Sequence, residues 1–152
     1  MDGLYFEDYA AGTLFETHRR TITETDLVNF VGVSGMFESL FIDVESLRDT
    51  PYRGRVAPGA LTYAIAEGLV IQRGALQGRG LAFLGAEIAV KAPVYVGDTL
   101  RVRAEHVSSR ETRRTDRGIV MTRQHVVNQR GEEVMTYTAT RMIRRRVASE
   151  GV

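Results

Sequence analysis

The sequence predicts an α+β protein in which an antiparallel sheet wraps around one long central helix. The first observation is a segment from Pro58 to Gln72 that is apolar almost all round and carries one charged residue, Glu67. A helix of that character is buried, so other elements have to cover it. The second observation is that apolar and polar residues alternate with a period of two after Gly80, as they do in strands of a half-buried sheet.

The elements before the central helix are predicted to be a strand, a helix and a short second helix. Alternation favours a strand over Thr13 to Thr21. Thr23 is a good N-cap, Asp26 completes a capping box three residues later, and Gly35 ends the helix that they begin. Residues Val44 to Asp49 predict the short second helix.

Four strands follow the central helix and are predicted to form an antiparallel meander. In the second of them, Leu100 and Val102 point to one face of the sheet and the residues between them point to the other. Turn-forming residues separate the later strands at Gly97-Asp98, at Asp116 to Gly118 and at Asn128 to Gly131. Periodicity and turns together therefore predict the sheet that covers the helix.

The composition is that of an ordinary globular protein. The 152 residues are 43% hydrophobic and 26% charged, which fits one domain, predicted over residues 1–147 with a frayed tail at 148–152. No run approaches the roughly 18 apolar residues of a membrane span, and the acidic, aromatic N-terminus is unlike a signal peptide. Cysteine is absent, which excludes disulfides and thiolate metal sites. We therefore expect a cytoplasmic protein without a membrane partner.

The charge pattern favours a small ligand over nucleic acid. The net charge is +1, so no global field attracts nucleic acid, and we expect no such partner. Arginines nevertheless gather late in the chain, at 110–117 and 141–146. Arginine forks bind phosphate, so a phosphate-bearing ligand is permitted, although solvated hairpin tips and a charged tail explain the same residues. The three histidines lack metal-ligand spacing, and no Gly-rich phosphate loop is present, so we expect no metal and no cofactor.

Three segments carry a resemblance to a known family. Tyr5 to Gly35 resembles the opening of the MaoC-like dehydratases, which are relatives of the (R)-specific enoyl-CoA hydratases. Val56 to Leu69 resembles the start of that family's central helix, and Ala92 to Val102 resembles its strand-turn-strand signature. The resemblance extends from about Tyr5 to Ile143. It implies the hot-dog fold, acyl thioesters of coenzyme A or acyl carrier protein as ligands, and a homodimer.

The resemblance also implies a catalytic loop of the form S-G-D-x-N-P-x-H-x-D, whose Asp and His are the acid/base pair of hydratases. Ser34 and Gly35 match the start of this loop, and Asp43 matches its last residue. The catalytic Asp falls on Met36 and the catalytic His falls on Phe41. Neither side chain transfers a proton, and hydration needs a group with a suitable pKa for each transfer. We therefore expect a hydratase or dehydratase homologue that lacks the standard dyad.

The substrate-binding element of the family is retained around Pro58, Gly59 and Ala60. Gly59 matches the glycine whose backbone N–H receives the thioester carbonyl. Independently of the family, the first turn of a helix exposes free N–H groups and partial positive charge. The plainer alternative is that Pro58 and Gly59 only make a tight start to the helix.

Three carboxylates are weaker catalytic candidates. Glu67 lies eight residues after Gly59, a position similar to the catalytic carboxylate of one type of hot-dog thioesterase; alternatively it pairs with an arginine or with backbone donors at a dimer interface. Glu38 falls on the family's Asn. Both Glu38 and Asp43 lie next to the positions of the missing dyad. The alternatives for these two are solvent exposure for Glu38 and an N-cap role for Asp43.

Three functions follow from these residues. The first is a MaoC-like acyl-thioester protein related to hydratases and dehydratases. The second is an acyl-CoA thioesterase that uses Glu67 with Gly59, which predicts that Glu67 faces a cavity. The third is a non-catalytic binding or assembly subunit, which predicts that Met36 and Phe41 fill the old pocket.

Overall fold

The computed structural model describes residues 2–146, so the tail predicted at 148–152 lies outside the described residues. The helices are α1 (Glu24–Ser34), α2 (Ser39–Ile42) and α3 (Gly59–Gln72). The strands are β1 (Gly12–Glu16), β2 (Arg20–Thr21), β3 (Gly80–Val90), β4 (Thr99–Glu111), β5 (Arg117–Val127) and β6 (Glu133–Arg144). Two short 3₁₀ helices, Phe6–Asp8 and Glu45–Asp49, complete the secondary structure of the described residues.

The strands form one antiparallel sheet in the order β1-β4-β5-β6-β3, with β2 pairing to the start of β4. The predicted meander is therefore correct for β4, β5 and β6 but wrong for β3, which pairs with β6 instead of its neighbour in sequence. The reason is that β5 occupies one edge of β4 while β1 and β2 occupy the other. This leaves β3 as a terminal strand of the sheet.

The core lies between α3 and the sheet. Leu61, Ile65 and Leu69 of α3 pack in the same buried cluster as Leu100 and Val102 of β4, and each of these side chains is at most 5% exposed. The period of the helix and the period of the strand thus supply complementary apolar faces. This packing fixes α3, and with it the position of Gly59 at the start of the helix.

The first predicted strand is divided into β1 and β2. Between them the backbone N–H of Thr17 donates to the carbonyl of Val102 at 2.9 Å, while the N–H of Val102 donates to the Thr17 hydroxyl at 2.9 Å. A side-chain oxygen thereby replaces the backbone carbonyl that a regular ladder would use. The regular pairing stops there and resumes at Arg20.

The capping signals of α1 are confirmed. The Thr23 hydroxyl accepts from the N–H of Asp26 at 3.1 Å, and the Asp26 carboxylate accepts from the N–H of Thr23 at 2.9 Å. At the other end, Gly35 takes a left-handed conformation with φ of 73°, and its N–H donates to the carbonyl of Val31 at 2.9 Å. Short polar side chains and a glycine therefore set both ends of this helix from local sequence.

Two predictions near the centre of the chain are corrected. The second helix forms as the 3₁₀ helix Glu45–Asp49, and the single turn α2 before it was not predicted because four residues are too few to show a helical period. The prediction that the central helix is buried all round is wrong for this protomer. One side of α3, which includes Ala60, Ala64 and Ile71, is exposed because the sheet covers only the opposite side.

Candidate functional site

The N-terminus of α3 presents two unpaired backbone donors. Pro58 precedes the helix with an extended backbone (φ −52°, ψ 142°), and its carbonyl accepts from the N–H of Leu61 at 2.9 Å and of Thr62 at 3.1 Å. Within residues 2–146, no acceptor is found for the N–H of Gly59 or of Ala60. These groups carry the partial positive charge of the helix end, so they suit an oxygen that gains negative charge.

A cavity of about 370 Å³ borders Gly59. Its walls are mostly apolar and include Phe41 of α2, Val56 before α3, Val90 at the end of β3 and Val94 after it. An apolar cavity of this size with polar groups at one point is typical of a small-molecule site. Gly59 borders the cavity, and a Cβ atom built on it would lie 3.5 Å from Val90 Cγ2, an ordinary contact.

Met36 and Phe41, which the resemblance aligns with the catalytic dyad of hydratases, differ in their placement. Phe41 is half-buried, lines the cavity and packs against the core, whereas Met36 is half-buried but does not border the cavity. The backbone around Met36 is set by Gly35 and by the Ser34 hydroxyl, which accepts from the N–H of Met36 at 3.4 Å. The loop thus contributes one aromatic wall to the cavity.

Glu38 and Asp43 lie outside this cavity. Glu38 is exposed and precedes α2 without a side-chain capping hydrogen bond. Asp43 is exposed, and its Oδ1 accepts from the N–H of Glu45 at 3.0 Å and of Ser46 at 3.4 Å. The structure therefore places Asp43 at the start of the 3₁₀ helix and brings neither carboxylate to Gly59.

Three polar side chains border the cavity without having been singled out as site residues from the sequence. They are Tyr52, Thr62 and Lys91. The Lys91 ammonium pairs with the carboxylate of Glu133, and the hydrogen bond from Lys91 is the main cause of the lowered pKa of Glu133. Lys91 is the only lysine in the chain. That was the one feature of the sequence that could have drawn attention to it. Tyr52 lies in a loop that no pattern marks.

Glu67 belongs to a separate buried network. Its Oε2 accepts from the Tyr137 hydroxyl at 2.8 Å, and its Oε1 pairs with the Arg141 guanidinium, which also donates to the Thr122 hydroxyl at 3.3 Å. The side chain of Arg141 is 7% exposed and that of Glu67 is 17% exposed. Burial, and then the charge of Glu67, raise the pKa of Tyr137, so the tyrosine remains a hydrogen-bond donor.

This network lines a second cleft, of about 560 Å³, between α3 and the start of β3. Tyr63, Ile71 and Phe83 form its apolar walls, and the Arg141 guanidinium carbon lies 5.6 Å from the Phe83 ring centre. Eight residues of helix separate Gly59 from Glu67, which corresponds to about 12 Å along the axis. Within one protomer Glu67 therefore faces a cleft, but not the cavity at Gly59.

Among the helices of the described part of the chain, none has the length and hydropathy of a membrane-crossing segment. In that same part, residues 2–146, no three His, Asp or Glu side chains are grouped in a way that could hold a metal ion.

Comparison with known proteins gives both the fold and the family. The structure is similar to a monoamine oxidase regulatory protein from Archaeoglobus fulgius, with a TM-score of 0.88, 32% identity, and 97% and 98% of the two chains covered. It also matches half of the double hot-dog protein RV0216 from Mycobacterium tuberculosis, with a TM-score of 0.83, 21% identity, and 99% and 47% covered. The sheet wrapped on α3 is thus the hot-dog fold, as the resemblance implied.

Sequence relatives agree. A 3-hydroxybutyryl-CoA dehydratase from Methylorubrum extorquens is 29% identical over 102 residues, which are 67% of this chain and 63% of that protein. The first curated relatives are each matched over less than two thirds of their own length. The family model described as MaoC like domain matches residues 8–129. The chain therefore belongs to the MaoC-like domain family.

Proposed function

We propose that this chain binds an acyl thioester, with the thioester carbonyl accepting from the N–H groups of Gly59 and Ala60. The observation that carries the proposal is the unpaired N–H of Gly59, which borders an apolar cavity and lies beside the unpaired N–H of Ala60 at the start of α3. The cavity suits a short acyl chain, and Phe41 and Val94 would contact it. The relative from Methylorubrum extorquens is named for a coenzyme A thioester, which favours that class of ligand.

Binding of an acyl thioester does not by itself imply the hydration reaction of the family. Met36 and Phe41 occupy the positions that hold the acid/base pair in hydratases of this family, and neither exchanges a proton. We therefore favour a homologue that binds thioesters and has little hydration activity. A thioesterase and a non-catalytic binding subunit both fit this description. The titratable side chains that border the cavity are Tyr52 and Lys91, and Lys91 is already paired with Glu133.

We also propose that the chain forms a homodimer through β3. Within residues 2–146 this strand pairs on one side only, with β6, and its exposed apolar side chains are Phe83, Leu84, Ile88 and Val90. Ile88 opposes Tyr137 in register, so it points to the same face of the sheet as α3. Terminal strands with exposed apolar residues are prone to pair with another chain.

Pairing of two β3 strands about a two-fold axis has a consequence for the site. Val90 at the end of β3 borders the Gly59 cavity, whereas Gly80 to Phe83 at its start border the Glu67 cleft. Antiparallel pairing brings the start of one strand to the end of the other. The Glu67 cleft of the partner then lies beside the Gly59 cavity, which keeps the thioesterase alternative open for the dimer.

The test removes one donor and retains the helix. Gly59→Pro deletes the N–H at a first-turn position where proline is tolerated, and Pro58 already has the extended conformation that a following proline requires. Gly59→Ala keeps the N–H and is the matched control. Binding of an acyl-CoA analogue with a methylene in place of the thioester sulfur should weaken about two- to tenfold in the proline variant.

The alkyl-CoA thioether, which lacks the carbonyl, separates the donor from the shape of the cavity. Its affinity should be equal in the Gly59→Pro and Gly59→Ala variants. Equal losses for both ligands in the proline variant would place the carbonyl elsewhere. Turnover of crotonyl-CoA, 3-hydroxyacyl-CoA and saturated acyl-CoA by the unmodified protein then distinguishes hydration from hydrolysis and from binding alone.

A further inference from the structure

An arginine-lined cleft of about 620 Å³ lies at the far end of α3 from Gly59. Its lining residues are Tyr5, Gly78, Arg79, Asp116 and the run Arg144, Arg145 and Arg146. The backbone N–H of Arg144 donates to the carbonyl of Arg79 at 2.9 Å, so the end of β6 and the turn before β3 are fixed together. Four guanidinium groups therefore surround one concave surface.

Aromatic and acidic neighbours hold several of these side chains in place. The guanidinium carbons of Arg79 and Arg146 lie 4.1 Å and 5.0 Å from the ring centre of Tyr5. Arg146 also donates to both carboxylate oxygens of Asp8, at 2.7 Å and 2.9 Å. Side chains that are ordered before binding lose less entropy when a ligand arrives.

Among the described residues, two of the four arginines have no carboxylate partner. Arg145 pairs with Glu7 and with Glu111, each at 3.0 Å. Within residues 2–146, by contrast, neither Arg79 nor Arg144 has a carboxylate within 4.0 Å, and the Nε of Arg79 is buried without an acceptor. The one acidic residue in the lining, Asp116, is itself held by Arg117 at 2.7 Å. The cleft therefore has cationic capacity that the described residues do not neutralise.

We infer that this cleft binds a phosphomonoester, and that Arg79 and Arg144 provide the forked donors for its oxygens. Guanidinium forks match phosphate geometry and make charge-assisted hydrogen bonds. In the dimer proposed above, the cleft lies near the start of β3 and so on the side of the partner's Gly59 cavity. The inference thus rests on the proposed function for its biological ligand: the phosphorylated nucleotide end of a coenzyme A thioester whose acyl end occupies the partner's cavity.

This placement also predicts specificity for thioesters of free coenzyme A over those of a carrier protein. A coenzyme A thioester carries a 3′-phosphomonoester on its nucleotide, whereas the pantetheine arm of a carrier protein has only an internal phosphodiester. A cleft that binds the phosphomonoester selects the free coenzyme. Removing that single phosphate should therefore lower affinity, while the acyl end is unchanged.

The direct experiment is titration calorimetry of the full chain with adenosine 3′,5′-bisphosphate, with 5′-AMP and with inorganic phosphate. Arg144→Gln should weaken binding of the bisphosphate about tenfold or more, because it removes a charged donor. Arg123→Gln is the matched control: its side chain is 47% exposed on β5, away from the cleft, and its nearest carboxylate is 3.9 Å away. The control should bind as the unmodified protein does.

The outcomes separate the two proposals. Bisphosphate binding that survives Gly59→Pro but is lost in Arg144→Gln supports the cleft, whether or not thioesters bind at Gly59. Equal affinity for an acyl-CoA analogue and its 3′-dephospho form would overturn the inference while leaving the thioester proposal intact. Equal affinity for the bisphosphate and for inorganic phosphate would make the cleft a general anion site and would also overturn the inference. Equal affinity of Arg144→Gln and Arg123→Gln for the bisphosphate would overturn it as well.

Discussion

At the scale of single residues, an aromatic side chain forms part of the wall of the candidate site. Phe41 lies in the wall of the Gly59 cavity, whereas Met36 lies outside that wall. The aromatic ring packs against the core. A cavity of about 370 Å³ remains beside the loop in which the family resemblance predicts the loss of both ionisable positions.

The first prediction concerns those two positions. The unmodified protein should show little enoyl-CoA hydration, because positioned acid/base groups each contribute typically about 10²- to 10⁴-fold. Met36→Asp combined with Phe41→His should give measurable hydration of crotonyl-CoA, and neither single change should, since the two groups act together. The assay is loss of enoyl absorbance with each variant. Fast hydration by the unmodified protein would contradict the assignment and make Glu38 and Asp43 the next residues to test.

A second prediction concerns Glu67. Glu67→Gln keeps the shape but leaves the buried Arg141 guanidinium without its counter-charge. Unfolding by urea should show a loss of about 1–3 kcal/mol, with any thioester turnover per folded protein unchanged. Tyr137→Phe, which removes one hydrogen bond to the same carboxylate, is the comparison and should cost less. Abolished hydrolysis at full stability would instead assign Glu67 to catalysis.

At the scale of elements, local signals determine helix ends and long-range pairing determines the sheet. Thr23, Asp26 and Gly35 specify α1 through contacts within a few residues, and for that reason the sequence predicts its limits. The partners of Glu67 are 70 and 74 residues away along the chain. No periodicity encodes such a contact, so the sequence marked Glu67 as needing a partner but could not identify Tyr137 or Arg141.

The same limitation applies to the candidate site. Gly59 was chosen as a candidate because it matches the glycine of the family's central helix, and because the first turn of a helix exposes free N–H groups. Tyr52 and Thr62 were missed because a loop tyrosine and a helical threonine have no local signature. The pairing of β3 with β6 was also missed, since alternation identifies a strand but not its neighbour.

A third prediction concerns the carboxylates that link β4, β5 and β6. His125 lies between Glu105 at 3.0 Å and Glu133 at 2.6 Å. The hydrogen bond from His125 lowers the pKa of Glu105, and hydrogen bonds from Lys91 and then His125 lower the pKa of Glu133 against burial. A carboxylate whose pKa is lower in the folded than in the unfolded state stabilises the fold at pH values above its unfolded-state pKa. That stability is lost as the pH falls through the folded-state pKa.

The free energy of unfolding should therefore decrease on acidification below the ordinary glutamate pKa of about 4.3. In Glu133→Gln this decrease should be smaller, because one of the titrating groups is gone. Glu45→Gln, at an exposed i,i+3 pair, is the control and should follow the unmodified protein. Urea unfolding at a series of pH values measures the slope, and identical slopes for all three proteins would count against the role of this cluster.

At the scale of the whole molecule, one side of α3 and several apolar side chains of β3 are exposed in the protomer. Ala64 and Ile71 are exposed on the helix, and Ile88 and Val90 are exposed on the strand. The sequence predicted a helix that is covered all round, and the protomer covers only one side. In the homodimer proposed above, a second copy would cover the exposed side of α3 and place the Gly59 cavity beside the partner's Glu67 cleft and arginine-lined cleft.

The last prediction tests that assembly. Ile88→Lys places a charge on the edge strand, where its side chain is 45% exposed in the protomer, so the isolated protomer should tolerate it. Sedimentation velocity at micromolar concentration should show a dimer for the unmodified chain and a monomer for this variant, with circular dichroism unchanged. Val107→Lys, 39% exposed on β4, adds the same charge away from β3 and should remain dimeric. If the Ile88→Lys variant were still dimeric, the interface would not lie at β3. If the unmodified protein were a monomer, each protomer would have to bind its thioester without the partner's arginines.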